Sequence, residues 1–241
     1  MIACMLPRNR GSGGMALPGW GTVARWAAIV VLSAMLLLVV YEVFAVLSAK
    51  ARTADALAGV SVREVHFGDL SKRRIHVLLT VEDPSFFQNH GLDFTTPGQG
   101  MTTITQSLVK RMYFKHFHQG LAKIDQDLIA RLVLDPAMRK RDQLEAFVNY
   151  SYFGHIDGRD VIGYPDAART YYGKDLKALS DREFISLVAM QDSPDTLDPR
   201  RHFAANTERV NRIVRLLAHK CKPRNLTDVD YVDCAAPPQS H

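Results

Sequence analysis

Two stretches of this chain gather the side chains that proton transfer and anion binding require. The first, Glu82-Asp83-Pro84-Ser85-Phe86-Phe87-Gln88-Asn89-His90-Gly91-Leu92-Asp93, places an acidic pair directly after the apolar run Arg74 to Val81. A carboxylate held at the end of an apolar segment is suited to take a proton from an attacking hydroxyl, and Glu82 is the candidate base. The ordinary reading of such a pair is a helix cap beside an exposed neighbour. The second stretch, Gly100-Met101-Thr102-Thr103-Ile104-Thr105-Gln106-Ser107-Leu108-Val109-Lys110, is a hydroxyl-rich helix entry. Thr103, Thr105 and Gln106 at a helix N-terminus, with Lys110 farther along, suit phosphate oxygens; the ordinary reading is Thr102 or Thr103 as N-cap and a solvated Gln106. Farther on, Lys123 and Asp127 stand four apart and share a helix face, so they can clamp a diphosphate directly or through Mg²⁺ or Mn²⁺. No cofactor is demanded by these residues, and no CxxC or Cys/His cluster points to zinc.

The elements that must carry these groups are mostly helical. Apolar residues recur four apart in Thr102 to Tyr113 (Ile104, Leu108, Met112) and in Lys123 to Leu134 (Ile124, Leu128, Leu132), which predicts two helices with those residues inward. On an outward polar face, Asp125 and Asp127 would be solvated. Helices are also expected over Asp142 to Tyr152, Gly163 to Tyr172, Ser180 to Met190 and Phe203 to His219, with Ser180 and Glu183 forming a capping box. Val65 to Asp69 reads as a short strand. Arg74 to Val81 fits a buried strand or the start of a helix, which periodicity does not separate. Ala51 to Arg63 is a juxtamembrane helix or linker, and residues 221–241, ending in Pro237-Pro238, read as a loose tail.

The whole chain sets the frame. Its 241 residues, 47% of them hydrophobic, suffice for a leader and one ordinary domain. A net charge of +5 suits an anionic surface or a phosphate-bearing substrate. Nucleic acid is set aside, because no basic region interleaves with aromatics and no zinc-finger spacing occurs. Residues 26–49 are apolar except for Glu42, long enough for the roughly 20 residues a membrane helix needs. Residues 1–25, with Arg8, Arg10 and Arg25 and no acid, read as a cytoplasmic arm, which places residues 50–220 outside the cytoplasm. The run exceeds an ordinary signal core and lacks a clean A-x-A site, so it is read as a retained anchor. Cys4 precedes the span, while Cys221 and Cys234 follow the domain; they either pair or remain free thiols.

Order and spacing add a resemblance. The chain resembles the peptidoglycan glycosyltransferases, found alone as monofunctional transglycosylases or as the N-terminal domain of class A penicillin-binding proteins. Their E-D-x-x-F-x-x-H-x-G is met by Glu82, Asp83, Phe86 and Gly91, and their G-G-S-T-I-T-Q-Q-L-x-K by Gly100, Thr103, Ile104, Thr105, Gln106, Leu108 and Lys110. Asn149 to Gly154 resembles Y-L-N-x-x-x-x-G. Gly163, Ala167, Ala168, Tyr171, Tyr172, Gly173 and Lys174 resemble G-x-x-x-A-A-x-x-Y-F-G-K, and Leu179, Ser180 and Glu183 resemble L-S-x-x-E. Several motifs in order are far more specific than one. Differences are Asn89 with His90 one place along, Met101, Ser107, and a short connection from Asp93 to Gly100 where the family carries an Arg-Ala pair and a lid.

The resemblance implies a mainly α, lysozyme-like glycosyltransferase domain behind one N-terminal transmembrane helix in a bacterial plasma membrane. It implies inverting glycan polymerisation from an undecaprenyl-pyrophosphate disaccharide of the lipid II type, with Glu82 as base and Thr103, Thr105, Gln106, Lys110 and Lys123 on the pyrophosphate. The nascent glycan strand, the membrane and other cell-wall synthases are the implied partners. The family's second catalytic carboxylate is the Glu of R-K-x-x-E. Counting forward from Lys123 reaches Gln126, and counting back from Asn149 reaches Asp127. If Asp127 is that group, it should lie on the wall of the same cleft as Glu82, near Lys110 and the Thr103 to Gln106 turn. Two alternatives stand beside this reading: a non-catalytic homologue that binds glycan or a synthase partner, and a lytic enzyme that cuts the polymer with Glu82 as general acid.

Overall fold

The chain's computed structural model describes residues 20–118 and 120–235. The arm before Trp20, with Cys4, and the Pro237-Pro238 end lie outside the described residues. The chain divides into two units within its first helix, α1 (Trp20–Ala51), between Val43 and Phe44. Within Val23–Ala51 an 18-residue stretch of this helix reaches a mean hydropathy of 2.6, and the span is long and apolar enough to cross a membrane. The second unit begins at Phe44.

That unit is mainly α. A short helix, α2 (Thr53–Ala58), leads into an extended stretch pinned by Asn149, whose amide oxygen accepts from the backbone N–H groups of Glu64 (2.9 Å) and Val65 (3.1 Å). The strand expected over Val65 to Asp69 is instead a 3₁₀ turn, Phe67–Asp69, because Asp69 caps the His66 N–H rather than leaving it for a ladder. α3 (Lys72–Glu82) starts at Ser71, whose hydroxyl accepts from Arg74 N–H, and buries Val77, Leu78 and Val81. Its helical state settles the strand-or-helix alternative for Arg74 to Val81.

α4 (Ile104–Tyr113) opens on a capping box, Thr103 with Gln106, and buries Ile104 and Leu108. α5 (Leu121–Ile129) runs into a π-helical stretch, Ala130–Leu134, and the short α6 (Asp135–Ala137). Its predicted face is inverted: Ile124 is 42% exposed and Leu132 54%, while Asp125 and Gln126 are buried at 7% and 2%. The burial of Gln126 is compensated by bonding, since its amide donates to the Gln106 carbonyl at 2.7 Å.

α7 (Lys140–Tyr150) ends at an antiparallel hairpin, β1 (Tyr152–Ile156) and β2 (Arg159–Ile162), in which Ile156 pairs with Arg159 around Asp157-Gly158. Both turn residues have positive φ, 51° and 80°, as a two-residue hairpin loop requires. α8 (Gly163–Tyr172) follows at once. Gly163 has φ 81°, and a Cβ there would stand 2.4 Å from the Asn149 carbonyl oxygen, so no side chain fits. Gly91 is constrained in the same way by the Ala130 carbonyl, 2.8 Å from a built Cβ. The remaining helices are α9 (Asp181–Met190), with the Ser180/Glu183 capping box, α10 (Pro194–Leu197) and α11 (Phe203–Leu217).

Through Ala235 the C-terminal segment is not loose. Cys221 and Cys234 form a disulfide, Tyr231 is fully buried, and the N–H groups of Gly98 and Gly100 donate to the Asn225 and Leu226 carbonyls at 2.9 and 2.8 Å. Composition suggested a solvated tail; a covalent closure and one buried aromatic ring anchor it.

Candidate active site

The two halves of the Glu82-Asp83 pair do different work. Asp83, just past the end of α3, is fully buried; its carboxylate accepts from the Ile104 N–H at the start of α4 (3.0 Å) and from the Asn89 amide (2.9 Å). It ties two helices together and complements a helix N-terminus. Burial pushes its carboxyl up to about 6. Glu82 is the last residue of α3 and is partly open to solvent, and its carboxylate has no hydrogen-bond or ion-pair partner among the described residues. Burial pushes it up to about 8; Arg209 opposes this, and the carboxylates of Asp192 and Asp83 add to it.

The hydroxyl-rich helix entry faces inward. Thr103 donates to the Gly91 carbonyl (2.7 Å), Thr105 to the Gln143 amide oxygen (2.7 Å), and Gln106 bridges the Thr103 N–H and the Asp127 carboxylate (2.6 and 2.5 Å). All three side chains are at most 1% exposed, so their polar atoms hold the protein together in this conformation instead of facing a diphosphate. Gln106, expected to be solvated on the ordinary reading, is a buried cross-link.

Beside them lies a cleft of about 870 Å³ whose wall includes Thr102, Ser107, Lys110, Arg111, Lys115 and Lys123. Four of these six are cationic, and the lining also includes Tyr150, Tyr152 and Asp192. Lys110 lies over the Phe117 ring, 5.1 Å from its centroid. Lys123 is fixed by the Met101 carbonyl (3.0 Å), the Gln126 amide oxygen (3.1 Å) and Asp127 (3.1 Å). Gln126 is part of the cleft wall and Asp127 is not: Asp127 turns to Gln106 and Lys123 behind it. Glu82 is not part of that wall, but the Gln99 amide reaches both its backbone carbonyl and that of the wall residue Thr102, at 3.4 Å each.

Among the described residues, no group of three or more His, Cys, Asp or Glu is placed to hold a metal ion.

Residues 51–218 match the family described as Transglycosylase, most of the chain. The chain belongs to the transglycosylase family. The relatives agree: penicillin-binding protein 1F of Bacillus subtilis (strain 168) is 30% identical over 166 residues, 64% of this chain and 22% of that protein. Penicillin-binding protein 2a of Streptococcus pneumoniae (strain ATCC BAA-255 / R6) is 27% identical over 191 residues, 76% of this chain and 24% of that one. Penicillin-binding protein 1B of Escherichia coli (strain K12) is 28% identical over 156 residues, 59% and 18% respectively. The matches thus cover about a quarter or less of each relative.

Within this transglycosylase domain, sequence reading missed Asp192 and Arg209. Arg209 gave a signal, since it falls in the buried register of α11 with Asn206, Val210, Ile213 and Leu216, where a charge calls for an explanation. Asp192, in the turn after α9, gave none.

Proposed function

We propose that the domain extends a cell-wall glycan by moving a disaccharide from a polyprenyl diphosphate onto a sugar hydroxyl, with Glu82 as general base. The observation that carries this reading is an unpaired, proton-avid carboxylate next to a cleft with a cationic wall. The acceptor oxygen attacks the anomeric carbon and its proton passes to Glu82. The bond to the diphosphate breaks, the electron pair leaves with the diphosphate, and Lys110 and Lys123 receive that charge. Attack opposite the leaving group turns an α-linked donor into a β-linked product. Thr103, Thr105 and Gln106 serve this step from behind, by fixing the helix on which Lys110 stands.

The same reading makes α1 a membrane anchor with the domain on the extracytoplasmic side of a bacterial plasma membrane, where a polyprenyl donor is at hand. The Cys221–Cys234 disulfide supports that placement, because such bonds persist in oxidising compartments. A reporter fused after residue 220 should therefore be active only when exported.

A second reading is favoured by Gln126, which stands in the cleft wall where one count along the sequence puts the second carboxylate. A neutral amide there suits a homologue that binds glycan or a synthase partner without turning over. Purified full-length protein with lipid-linked disaccharide separates the two. Polymer that disappears in E82Q supports the transferase, and saturable binding without polymer supports the second reading.

A further inference from the structure

Glu82 is surrounded by charge from several elements, and the arrangement behind it is specific. Arg209 on α11 is 7% exposed, its guanidinium 3.6 Å from Asp192 and 3.1 Å from Asp230. It also lies over the Tyr231 ring, 5.9 Å from the centroid. Tyr231 in turn donates its hydroxyl to the carbonyl of Val81, the residue before Glu82, at 3.2 Å. Asp230 and Tyr231 both belong to the loop closed by Cys221–Cys234. The turn after α9, α11 and the C-terminal loop thus converge at the end of α3, where Glu82 stands. The cleft wall retains a negative charge at Asp192 while Gln126 contributes none.

Resting on the reading of Glu82 as base, we infer that Asp192 and Arg209 are its positioning pair. Asp192 supplies the anionic field that Gln126 does not, and Arg209, locked from behind by the disulfide-closed loop, favours the charged form of Glu82. The titratable and charged groups facing Glu82 are Asp83 at its own helix end, Asp192 after α9, Arg209 on α11, Tyr164 on α8 and Tyr231 in the loop. Of these only Arg209 is cationic. Removing the anion should make Glu82 a weaker base, and removing the cation should make it a carboxyl that keeps its proton longer.

The test is a titration of Glu82 itself, by carboxyl-carbon NMR of ¹³C-glutamate-labelled full-length protein in detergent micelles, with the signal assigned through its loss in E82Q. In D192N the midpoint should fall by about one pH unit, in R209M it should rise by about one, and R209K should leave it near the wild-type value. The alkaline rise of the polymerisation rate with pH should move with the midpoint in each variant. A structural role alone would lower activity without moving either. Midpoints unmoved in folded D192N and R209K-matched R209M overturn the inference, and if R209M does not fold, D192N decides by itself. The readout is independent of turnover. Shifted midpoints in a protein that makes no polymer would leave the pair standing and remove the transferase reading, whereas unmoved midpoints in an active enzyme would do the reverse.

Discussion

The wall formed by α4 and α5 and the corner around Glu82 handle polar groups in opposite ways. On the α4/α5 side, Thr103, Gln106, Gln126, Lys123 and Asp127 satisfy one another through a closed set of hydrogen bonds, several of them buried. Such a network is stable only when complete, and it fixes the spacing of the two helices that carry Lys110 and Lys123. At the Glu82 corner, a carboxylate is left without a partner in a poorly solvated place. A poorly solvated acid without a partner lowers stability, and the proposed role as proton acceptor gives a reason for its presence. Residues with binding-type chemistry therefore serve architecture on one side, and on the proposed reading a residue with no architectural partner serves chemistry on the other.

The sharpest way to break this contrast is E82Q. Removing the base should slow glycan synthesis by roughly 10²- to 10⁴-fold in a polymerisation assay. Stability should move the other way. Because the folded-state value of about 8 lies above a glutamate's ordinary 4.5, the native state binds the extra proton between those limits, and stability falls as pH rises through that window. E82Q should thus melt above wild type at pH 8, with the gap closing toward pH 5; equal melting curves at pH 8 would contradict the unpaired state of Glu82. For the same reason the wild-type rate should climb between pH 7 and pH 8, as the base form fills.

Next in size is the covalent brace of that corner. Replacing Cys221 and Cys234 by serine opens a loop with a sequence separation of 13, and should cost about 3 kcal/mol in denaturant unfolding. An unchanged midpoint would show that Tyr231 and the Gly98 and Gly100 bonds suffice without it.

On the network side, Gln106→Ala strands the buried Thr103 N–H and deprives Asp127 of a donor, with an expected loss of about 1–3 kcal/mol. A stability loss below that range would mean the network is redundant. The smallest effect belongs to Asp127→Asn, which keeps an oxygen for Gln106 and weakens only a partly exposed pair with Lys123; about 0.2–1 kcal/mol is expected. Should D127N instead abolish polymerisation as fully as E82Q, Asp127 would act on substrate and the division between the two regions would be wrong.

Much of this architecture is written locally. The capping boxes at Thr103/Gln106 and Ser180/Glu183 mark two helix starts, because short polar side chains bond the N–H groups that a first turn leaves free. The apolar run of α1 is equally plain, since length and hydropathy need no partner to be read. Asp157-Gly158 carried a hairpin signal that the helical periodicity around it masked. Motif order identified the family and singled out Glu82, Lys110 and Lys123 as its site candidates.

What the chain could not declare is which way a polar residue turns. Periodicity gives α5 a face but not the sign of its burial: Asp125 and Gln126 turn inward, Gln126 held by the Gln106 carbonyl of α4, while Ile124 turns outward. The choice between Gln126 and Asp127 at the cleft wall is likewise a matter of how α5 is rotated against α4. Asp192 and Arg209 reach Glu82 from positions 110 and 127 residues along the chain, a separation at which no spacing rule operates. Local bonds and hydropathy are properties of neighbouring residues, so sequence determines them. The field at a carboxylate sums charges brought near it by packing, and only the tertiary structure decides that sum.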